Sequence, residues 1–203
     1  MKETSWDNTW EKIYRSREWG KYPPEELVRF VARNYYGVKD RKKVAILDLG
    51  CGTGAASWYA AREGFRVFGI DGSPTAIKAA KKRFAQEKLK GEFVVGDIVA
   101  LPHKDAQFDA VVDIAAVQHN SPANIKKILA EAHRVLKPGG SLFSMMIADD
   151  KSLSAWPGTI HFFTLAEITG LLKGFKSTTV DSVVRTKNGR KDKIKFWIVE
   201  AKK

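Results

Sequence analysis

Residues 44–54, Val-Ala-Ile-Leu-Asp-Leu-Gly-Cys-Gly-Thr-Gly, constrain the fold of this chain more than any other segment. The apolar run ends in a turn that contains Gly50, Gly52 and Gly54, which predicts a buried strand leading into a helix. Because glycine has no Cβ, a ligand can lie against this backbone at the helix N-terminus, as nucleotide-type cofactors do. Ala55 completes a degenerate G-x-G-x-x-G/A pattern, so the turn alone does not identify the cofactor.

The bulk composition favours one soluble domain. The chain has 203 residues, of which 44% are hydrophobic and 29% are charged. The longest apolar stretch, 110–117, is too short to span a membrane, and the N-terminus does not resemble a secretion signal, so we expect a cytoplasmic protein without membrane association. The single cysteine, Cys51, excludes an internal disulfide and a cysteine-based zinc cluster, and no metal site is expected.

The net charge of +12 raises the question of nucleic-acid binding. Residues 173–203 contain ten Lys or Arg against three Asp or Glu, and a second basic cluster lies within 78–90. These charges fit either a solvated surface or a rim that contacts phosphate groups. Because no RNA-binding module is recognisable, nucleic acid is an open but less favoured partner.

Strands and helices alternate regularly after an N-terminal region that we expect to be helical. Strands are predicted at 44–49, 66–70, 92–95, 108–112 and 141–147. Helices are predicted at 54–62, from Ser73-Pro74 to about 88, from Ser121-Pro122 to a stop at Lys137-Pro-Gly-Gly140, and from Thr164 to about 173. Two last strands, 177–185 and 193–200, flank a turn at 187–190 and predict an antiparallel hairpin.

Five ordered motifs resemble those of the class I S-adenosylmethionine-dependent methyltransferases, from about Pro23 to the C-terminus. They are Leu47-Asp-Leu-Gly-Cys-Gly-Thr-Gly54, Phe68-Gly-Ile-Asp-Gly-Ser73, Gly96-Asp97-Ile98, Phe108-Asp-Ala-Val-Val-Asp113 with Gln118-His119, and Arg134-Val-Leu-Lys-Pro-Gly-Gly140. The resemblance implies a Rossmann-like three-layer α/β sandwich with a mostly parallel seven-stranded sheet in the order 3-2-1-4-5-7-6, its last strand antiparallel. It also implies S-adenosylmethionine as cofactor and S-adenosylhomocysteine as product.

The resemblance assigns roles to individual residues. Asp71 would hold the ribose hydroxyls, and Asp97 and Ile98 the adenine. The glycine turn would receive the methionyl carboxylate, while Asp48 and Asp113 would balance the ammonium and sulfonium charges. A structural role within the strand is an equal alternative for Asp113. The predicted cofactor residues are Asp48, Gly50, Cys51, Gly52, Gly54, Asp71, Gly72, Asp97, Ile98 and Asp113.

A dedicated catalytic residue is not obligatory, since the sulfonium already activates the methyl group and positioning does the rest. If a base is needed, His119 is the first candidate, because it follows strand four at the predicted rim of the site and titrates near neutral pH. His161, on the loop after strand five, is the second. Helix capping or packing is the alternative for His119.

The N-terminus is rich in aromatic residues: Trp6, Trp10 and Tyr14 fall at helical spacing, and Trp19 and Tyr22 follow closely. Trp10, Tyr14, Trp19 and Tyr22 are predicted to form a lid over cofactor and substrate, where aromatic faces favour a sulfonium. Packing against the protein's own sheet is the alternative. We therefore divide the compact chain into a helical lid, 1–40, and a cofactor-binding domain, 41–203.

The sequence thus predicts methyl transfer to an oxygen, nitrogen or sulfur atom of a small acceptor, by a monomer or homodimer. The compact, Trp-rich chain loosely resembles methyltransferases of the thiopurine or tellurite type, and the basic charge suggests an acidic acceptor. Residues 114–117 lack the Asn/Asp-Pro-Pro-Tyr stretch of enzymes that methylate adenine or glutamine amino groups. An RNA methyltransferase, a non-catalytic cofactor-binding module and, more distantly, a nicotinamide oxidoreductase are the alternatives.

Overall fold

The computed structural model of the protein describes residues 6–148, 158–186 and 193–203. Its α-helices are α1 (Thr9–Ser16), α2 (Glu25–Tyr35), α3 (Ala55–Arg62), α4 (Pro74–Gln86), α5 (Pro122–Val135) and α6 (Leu165–Leu171). Its strands are β1 (Ala45–Leu49), β2 (Arg66–Asp71), β3 (Glu92–Val95), β4 (Phe108–Ile114), β5 (Leu136–Ile147), β6 (Ser177–Thr186) and β7 (Lys193–Lys202).

The strands form one sheet in the order β3-β2-β1-β4-β5-β7-β6. Strands β1 to β5 pair in parallel, and β7 pairs antiparallel with both β5 and β6. This confirms the predicted strand order and its antiparallel last strand. The turn predicted at 187–190 lies outside the described residues. Because the chain moves outward from β1 to β3 and then crosses back to β4, the order reverses between β1 and β4, where α/β folds bind ligands.

Alternating side chains of the central strands build two hydrophobic layers. Leu47 and Val111 point into the layer that contains α5 and α6, whereas Ile46 and Val67 point into the layer that contains α2, α3 and α4. Strand β1 is buried along its whole length, as expected for a parallel strand covered on both faces. The result is the predicted three-layer sandwich.

The segment Lys137-Pro-Gly-Gly140 departs from the prediction. Helix α5 ends at Val135, and the four residues lie within β5 rather than in a turn before it. Gly139 N–H donates to the carbonyl of Lys203, whose own N–H donates to the carbonyl of Gly140. A register shift between Phe108 and Ala110 accommodates this irregular start. Pairing with the end of β7 therefore overrides the turn propensity of proline and glycine.

The two N-terminal helices pack differently. Helix α2 buries Leu27, Phe30 and Val31 in the core layer that holds α3 and α4. Helix α1 is shorter and contacts α4. The predicted helical character of this region is confirmed, while its separation as a lid stays a prediction. Among the described residues, no helix is both long and apolar enough to cross a bilayer.

Candidate active site

A cavity of about 340 Å³ opens at the carboxyl ends of the central strands, next to the point where the strand order reverses. Its size is in the usual range for small-molecule sites. Residues after β1, β2, β3 and β4 line one wall, and the N-terminal segment with α1 lines another. The predicted cofactor residues in its lining are Asp48, Gly50, Cys51, Gly52, Asp71, Gly72, Asp97 and Ile98. The sheet thus brings together acids that are far apart in sequence.

The glycine turn after β1 allows close approach to the backbone. Gly50 and Gly52 have φ angles of +59° and +53°, which side-chain-bearing residues rarely adopt. A Cβ on Gly50 would lie 2.3 Å from the Cβ of Ala116, and one on Gly52 would lie 2.6 Å from the hydroxyl of Tyr14. Any side chain at these positions would therefore occupy the space beside the turn that a ligand would need. Gly54 is buried beneath the turn and does not line the cavity.

Asp71 ties the end of β2 to the glycine turn. One carboxylate oxygen accepts the Gly52 N–H at 2.9 Å, and the other accepts the Ser73 N–H at 2.8 Å. A carboxylate has about four lone-pair sites, so both oxygens keep acceptor capacity for a ribose. The Gly52 N–H already donates to Asp71, however, so it is not the best donor for a ligand carboxylate. The first turn of α3 suits that carboxylate better, because Ala55 lines the cavity there and the first N–H groups of a helix have no acceptor within the helix.

Asp48 and Asp113 are both buried but are used differently. Asp48 lines the cavity and accepts hydrogen bonds from the Ser57 N–H and hydroxyl, and burial raises its pKa to about 7. Asp113 accepts the N–H groups of Ala116 and Val117, and burial raises its pKa to about 6. Asp113 does not line the cavity; it shapes the turn after β4, which was the structural alternative weighed for it.

The charges at the cavity favour a cation. Asp7, Asp48, Asp71 and Asp97 line it, whereas no lysine or arginine does among the described residues. Burial raises the pKa of Asp71 as well, which marks a carboxylate without enough compensating positive charge. A ligand that carries an ammonium and a sulfonium group fits these acidic residues. An adenosine group on the same ligand fits Asp71, Asp97 and Ile98. A nicotinamide dinucleotide, which brings two phosphates, does not fit it as well.

Comparison with known proteins decides the family. A family model described as a methyltransferase domain matches residues 46–140. Over 181 residues the chain is 32% identical to the demethylmenaquinone methyltransferase of Leptospira interrogans, with 86% of this chain and 68% of the relative covered. The chain belongs to the class I S-adenosylmethionine-dependent methyltransferases. It spans from 39% to 68% of the length of the curated methyltransferases that it was matched with.

Solved structures agree with this assignment. A methyltransferase from Methanosarcina mazei, 27% identical, superposes with a TM-score of 0.69 over 85% of this chain and 96% of its own. TehB from Haemophilus influenzae, 19% identical, shares the fold with a TM-score of 0.73 over 97% of this chain and 66% of its own. The loose resemblance to the tellurite type thus holds for the fold. S-adenosylmethionine is the cofactor of this methyltransferase.

Of the two histidines predicted for catalysis, the methyltransferase places only His119 at the cavity. Its Nδ1 lies 3.1 Å from the carbonyl oxygen of Thr159, and its ring meets Trp10 edge-on with centroids 4.7 Å apart. Burial lowers the pKa of His119. His161 does not line the cavity. Its Nε2 lies 2.7 Å from a carboxylate oxygen of Glu167, and its backbone N–H donates to the Gln118 carbonyl, so it fixes the segment just before α6.

The predicted aromatic residues of the methyltransferase all reach the cavity. Trp10, Tyr14 and Trp19 form one cluster, with ring centroids 5.7 to 6.0 Å apart, and Tyr22 lies at the margin, 73% exposed. The Tyr14 hydroxyl sits over the glycine turn, and burial near Asp71 raises its pKa. These residues line the cavity on the α1 side, and the lid function stays a prediction.

Two contacts of this wall were not foreseen from the sequence. Trp6 covers the loop after β2, because a Cβ on Gly72 would lie 2.1 Å from Cε3 of its indole. Glu11 is buried and accepts hydrogen bonds from the Ser73 hydroxyl and, at 2.6 Å, from the Thr75 hydroxyl. These bonds lower the pKa of Glu11 to about 2. Glu11 thereby fastens α1 to the first turn of α4, across more than 60 residues of sequence.

Proposed function

We propose that this methyltransferase transfers the methyl group of S-adenosylmethionine to an oxygen, nitrogen or sulfur atom of a small molecule. The observation that carries the proposal is the extent of the cavity. It continues from the acids after β1 to β3 to a second wall formed by β5, β7 and the loop before α6, within a total volume of about 340 Å³. The second wall lies beyond the residues assigned to the cofactor, which leaves it to a small acceptor. The name of the Leptospira relative, a demethylmenaquinone methyltransferase, supports a small-molecule acceptor.

The protein's contribution to such a reaction is positioning and exclusion of water. Bound S-adenosylmethionine supplies an electrophilic methyl group on a sulfonium, so the acceptor lone pair needs only to be aligned with it. Trp10, Tyr14 and Trp19 cover the cavity from the α1 side, and Ile147 and Phe196 lie on the sheet side. A site closed in this way keeps water from the acceptor and strengthens the electrostatic contact between acids and sulfonium.

His119 is proposed to accept the proton that the acceptor loses. A carbonyl oxygen can only accept a hydrogen bond, so contact with Thr159 places the imidazole proton on Nδ1 and the lone pair on Nε2. Burial lowers the pKa of His119 from 6.5, which keeps the ring neutral at pH 7. A neutral imidazole at the rim of the cavity is the protonation state that a general base requires.

The test is methyl transfer from radiolabelled S-adenosylmethionine to a panel of small phenols, thiols and amines, with total RNA as a further acceptor. We expect label in at least one small acceptor and none in RNA. Label that appears only in RNA, with binding that weakens steeply as salt rises, would establish the RNA alternative instead. Tight cofactor binding with no transfer to any acceptor would favour a non-catalytic module.

The cytoplasmic location and the monomeric or homodimeric state stay predictions of the sequence. Fractionation of cell extracts and light scattering of the purified protein test them directly. A stable trimer or larger assembly would contradict the second.

A further inference from the structure

The cavity has two chemically distinct halves. Residues after β1, β2 and β3 contribute carboxylates, including Asp48, Asp71 and Asp97. Residues from β4 onward contribute mainly hydrocarbon: Ile114, Ile147, Ile160, Ile194 and Phe196. The strand order sets this division, because β3, β2 and β1 lie on one side of the switch point and β4, β5 and β7 on the other. These three acids belong to the cofactor half. Asp7 is the acid of the described lining that lies near the other half, where a Cβ on Gly158 would be 3.0 Å from its carboxylate. The largely apolar half is left for the acceptor.

Trp10 brings a cluster of aromatic rings to the start of the apolar half, because its ring meets His119 after β4. Trp10 lies 5.7 Å from Trp19 and 6.0 Å from Tyr14, measured between ring centroids, and it also meets His119. Edge-to-face and tilted contacts of this kind hold rings in place and present broad apolar faces. A flat ring entering between this cluster and Phe196 would be covered on both faces.

The polar groups near this half are mostly engaged with the protein itself. The Gln118 side-chain oxygen accepts the Ile147 N–H at 2.9 Å, and the Asn120 amide donates to the carbonyls of Ala116 and Val117. Among the described residues of the lining, no lysine or arginine could neutralise an anionic acceptor. The basic residues that give the chain its charge of +12 are therefore not the ones that would contact the acceptor in the part of the cavity that the structure describes.

Resting on the proposed function, we propose that the acceptor is an uncharged, largely apolar aromatic molecule that bears a hydroxyl or thiol group. Its ring lies between the aromatic cluster and the isoleucine and Phe196 wall, with the hydroxyl or thiol toward His119. The acceptor's O–H or S–H proton passes to Nε2 of His119, its lone pair forms the new bond to the methyl carbon, and the carbon–sulfur bond breaks with its electron pair going to sulfur. This replaces the expectation of an acidic acceptor, which was based on net charge alone.

A matched pair of ligands tests the proposal on the unmodified protein. The probes are 2-naphthol and 6-hydroxy-2-naphthoate, which share a ring system and a hydroxyl and differ by one carboxylate. Calorimetric titrations are made with S-adenosylhomocysteine already bound. We expect 2-naphthol to bind at least about tenfold more tightly, because a carboxylate would be desolvated without a cationic partner. Equal or tighter binding of the naphthoate would overturn the proposal, and so would failure of both probes to bind.

Two indole substitutions locate the binding. Trp10→Ala should weaken 2-naphthol binding at least about tenfold, whereas Trp58→Ala removes an indole that does not line the cavity and should leave it unchanged. Equal effects of the two would place the ligand elsewhere and contradict the proposal. The S-adenosylhomocysteine titration made first separates failure of the proposed function from failure of the proposed acceptor class. If that ligand does not bind, the proposed function itself fails; if it binds and the naphthoate is preferred, only the acceptor class is wrong.

Discussion

Removing the charge of Glu11 should release α1 from the body of the protein. The carboxylate accepts hydrogen bonds from the Ser73 and Thr75 hydroxyls and from Nε of Arg15, the last at 2.8 Å. Glu11→Gln keeps the size of the side chain but replaces a charged acceptor with an amide that presents an NH₂ group. Hydrogen bonds to charged groups contribute about 1.5–3 kcal/mol each, and the amide retains part of this, so we expect a net cost of about 1–3 kcal/mol.

This cost should appear as opening of α1 rather than as global unfolding. A helix of 8 residues is not stable alone in water, so α1 depends on its docking contacts. A cost of about 1–3 kcal/mol raises the opening constant about 5- to 150-fold. Tryptic cleavage after Arg15 and Arg17 should accelerate by this factor when α1 opens and closes faster than trypsin cleaves. S-adenosylmethionine should also bind more weakly, because Trp10 and Tyr14 of α1 leave the cavity when the helix opens.

Glu18→Gln is the matched control, since Glu18 lies just beyond α1, and its side chain is 87% exposed. It should leave cleavage and affinity unchanged. The lowered pKa of Glu11, about 2, gives a second check. Its stabilising effect is complete above the ordinary pKa of 4.5 and is lost as pH falls toward 2, so the stability difference between wild type and Glu11→Gln should shrink over that interval. Wild-type cleavage and affinity in Glu11→Gln would refute the docking role.

Three further predictions concern the site itself. Gly52→Ala should weaken cofactor binding, because the new Cβ would meet the Tyr14 hydroxyl. Gly139→Ala is the control: Gly139 also has a positive φ but has open space around it, so this change should lower stability alone. Equal cofactor affinity of the two variants would contradict the prediction. The pKa of Asp48 is about 7, and a cationic cofactor favours the ionised carboxylate, so cofactor binding at pH 7 should release protons from Asp48. The measured binding enthalpy should therefore differ between buffers of different ionisation enthalpy. Asp48→Asn should abolish this difference. With the cofactor saturating, His119→Gln should lower turnover about 10²-fold or more and remove the fall in turnover that we expect of wild type as pH drops below 6.5; an unchanged pH profile would exclude His119 as base.

The sequence was sufficient to predict the fold, because the local signals for strands, turns and helices agree with the strand order of the whole sheet. The apolar run 44–49, the glycine turn and the N-caps at Ser73 and Ser121 each act over a few residues, and the structure contains the corresponding strand, turn and helices. Acids at strand ends could be placed together for the same reason, since parallel strands bring their carboxyl ends to one edge. Lys137-Pro-Gly-Gly140 was misjudged because its conformation depends on pairing with Lys203, at the far end of the chain.

The contacts that the sequence did not reveal are long-range and specific. Nothing in the spacing of Glu11 indicates that it meets Ser73, and nothing around Trp6 indicates that it covers Gly72. The donors of the glycine turn could not be assigned either, since the use of the Gly52 amide by Asp71 is a matter of side-chain geometry. Patterns of residue type predict which edge of the sheet carries the site; they do not predict which hydrogen bonds the protein makes within it.

Acids at the ends of neighbouring strands should hold S-adenosylmethionine beside the glycine turn, and substitution of Asp71 tests this most directly. Calorimetric titrations of wild type, Asp71→Ala and the exposed control Asp181→Ala should use S-adenosylmethionine, S-adenosylhomocysteine and NAD. We predict that wild type and the control bind the first two ligands and not NAD, and that Asp71→Ala loses at least about tenfold in affinity. Full-strength binding by a folded Asp71→Ala protein, or tight binding of NAD by wild type, would contradict the account.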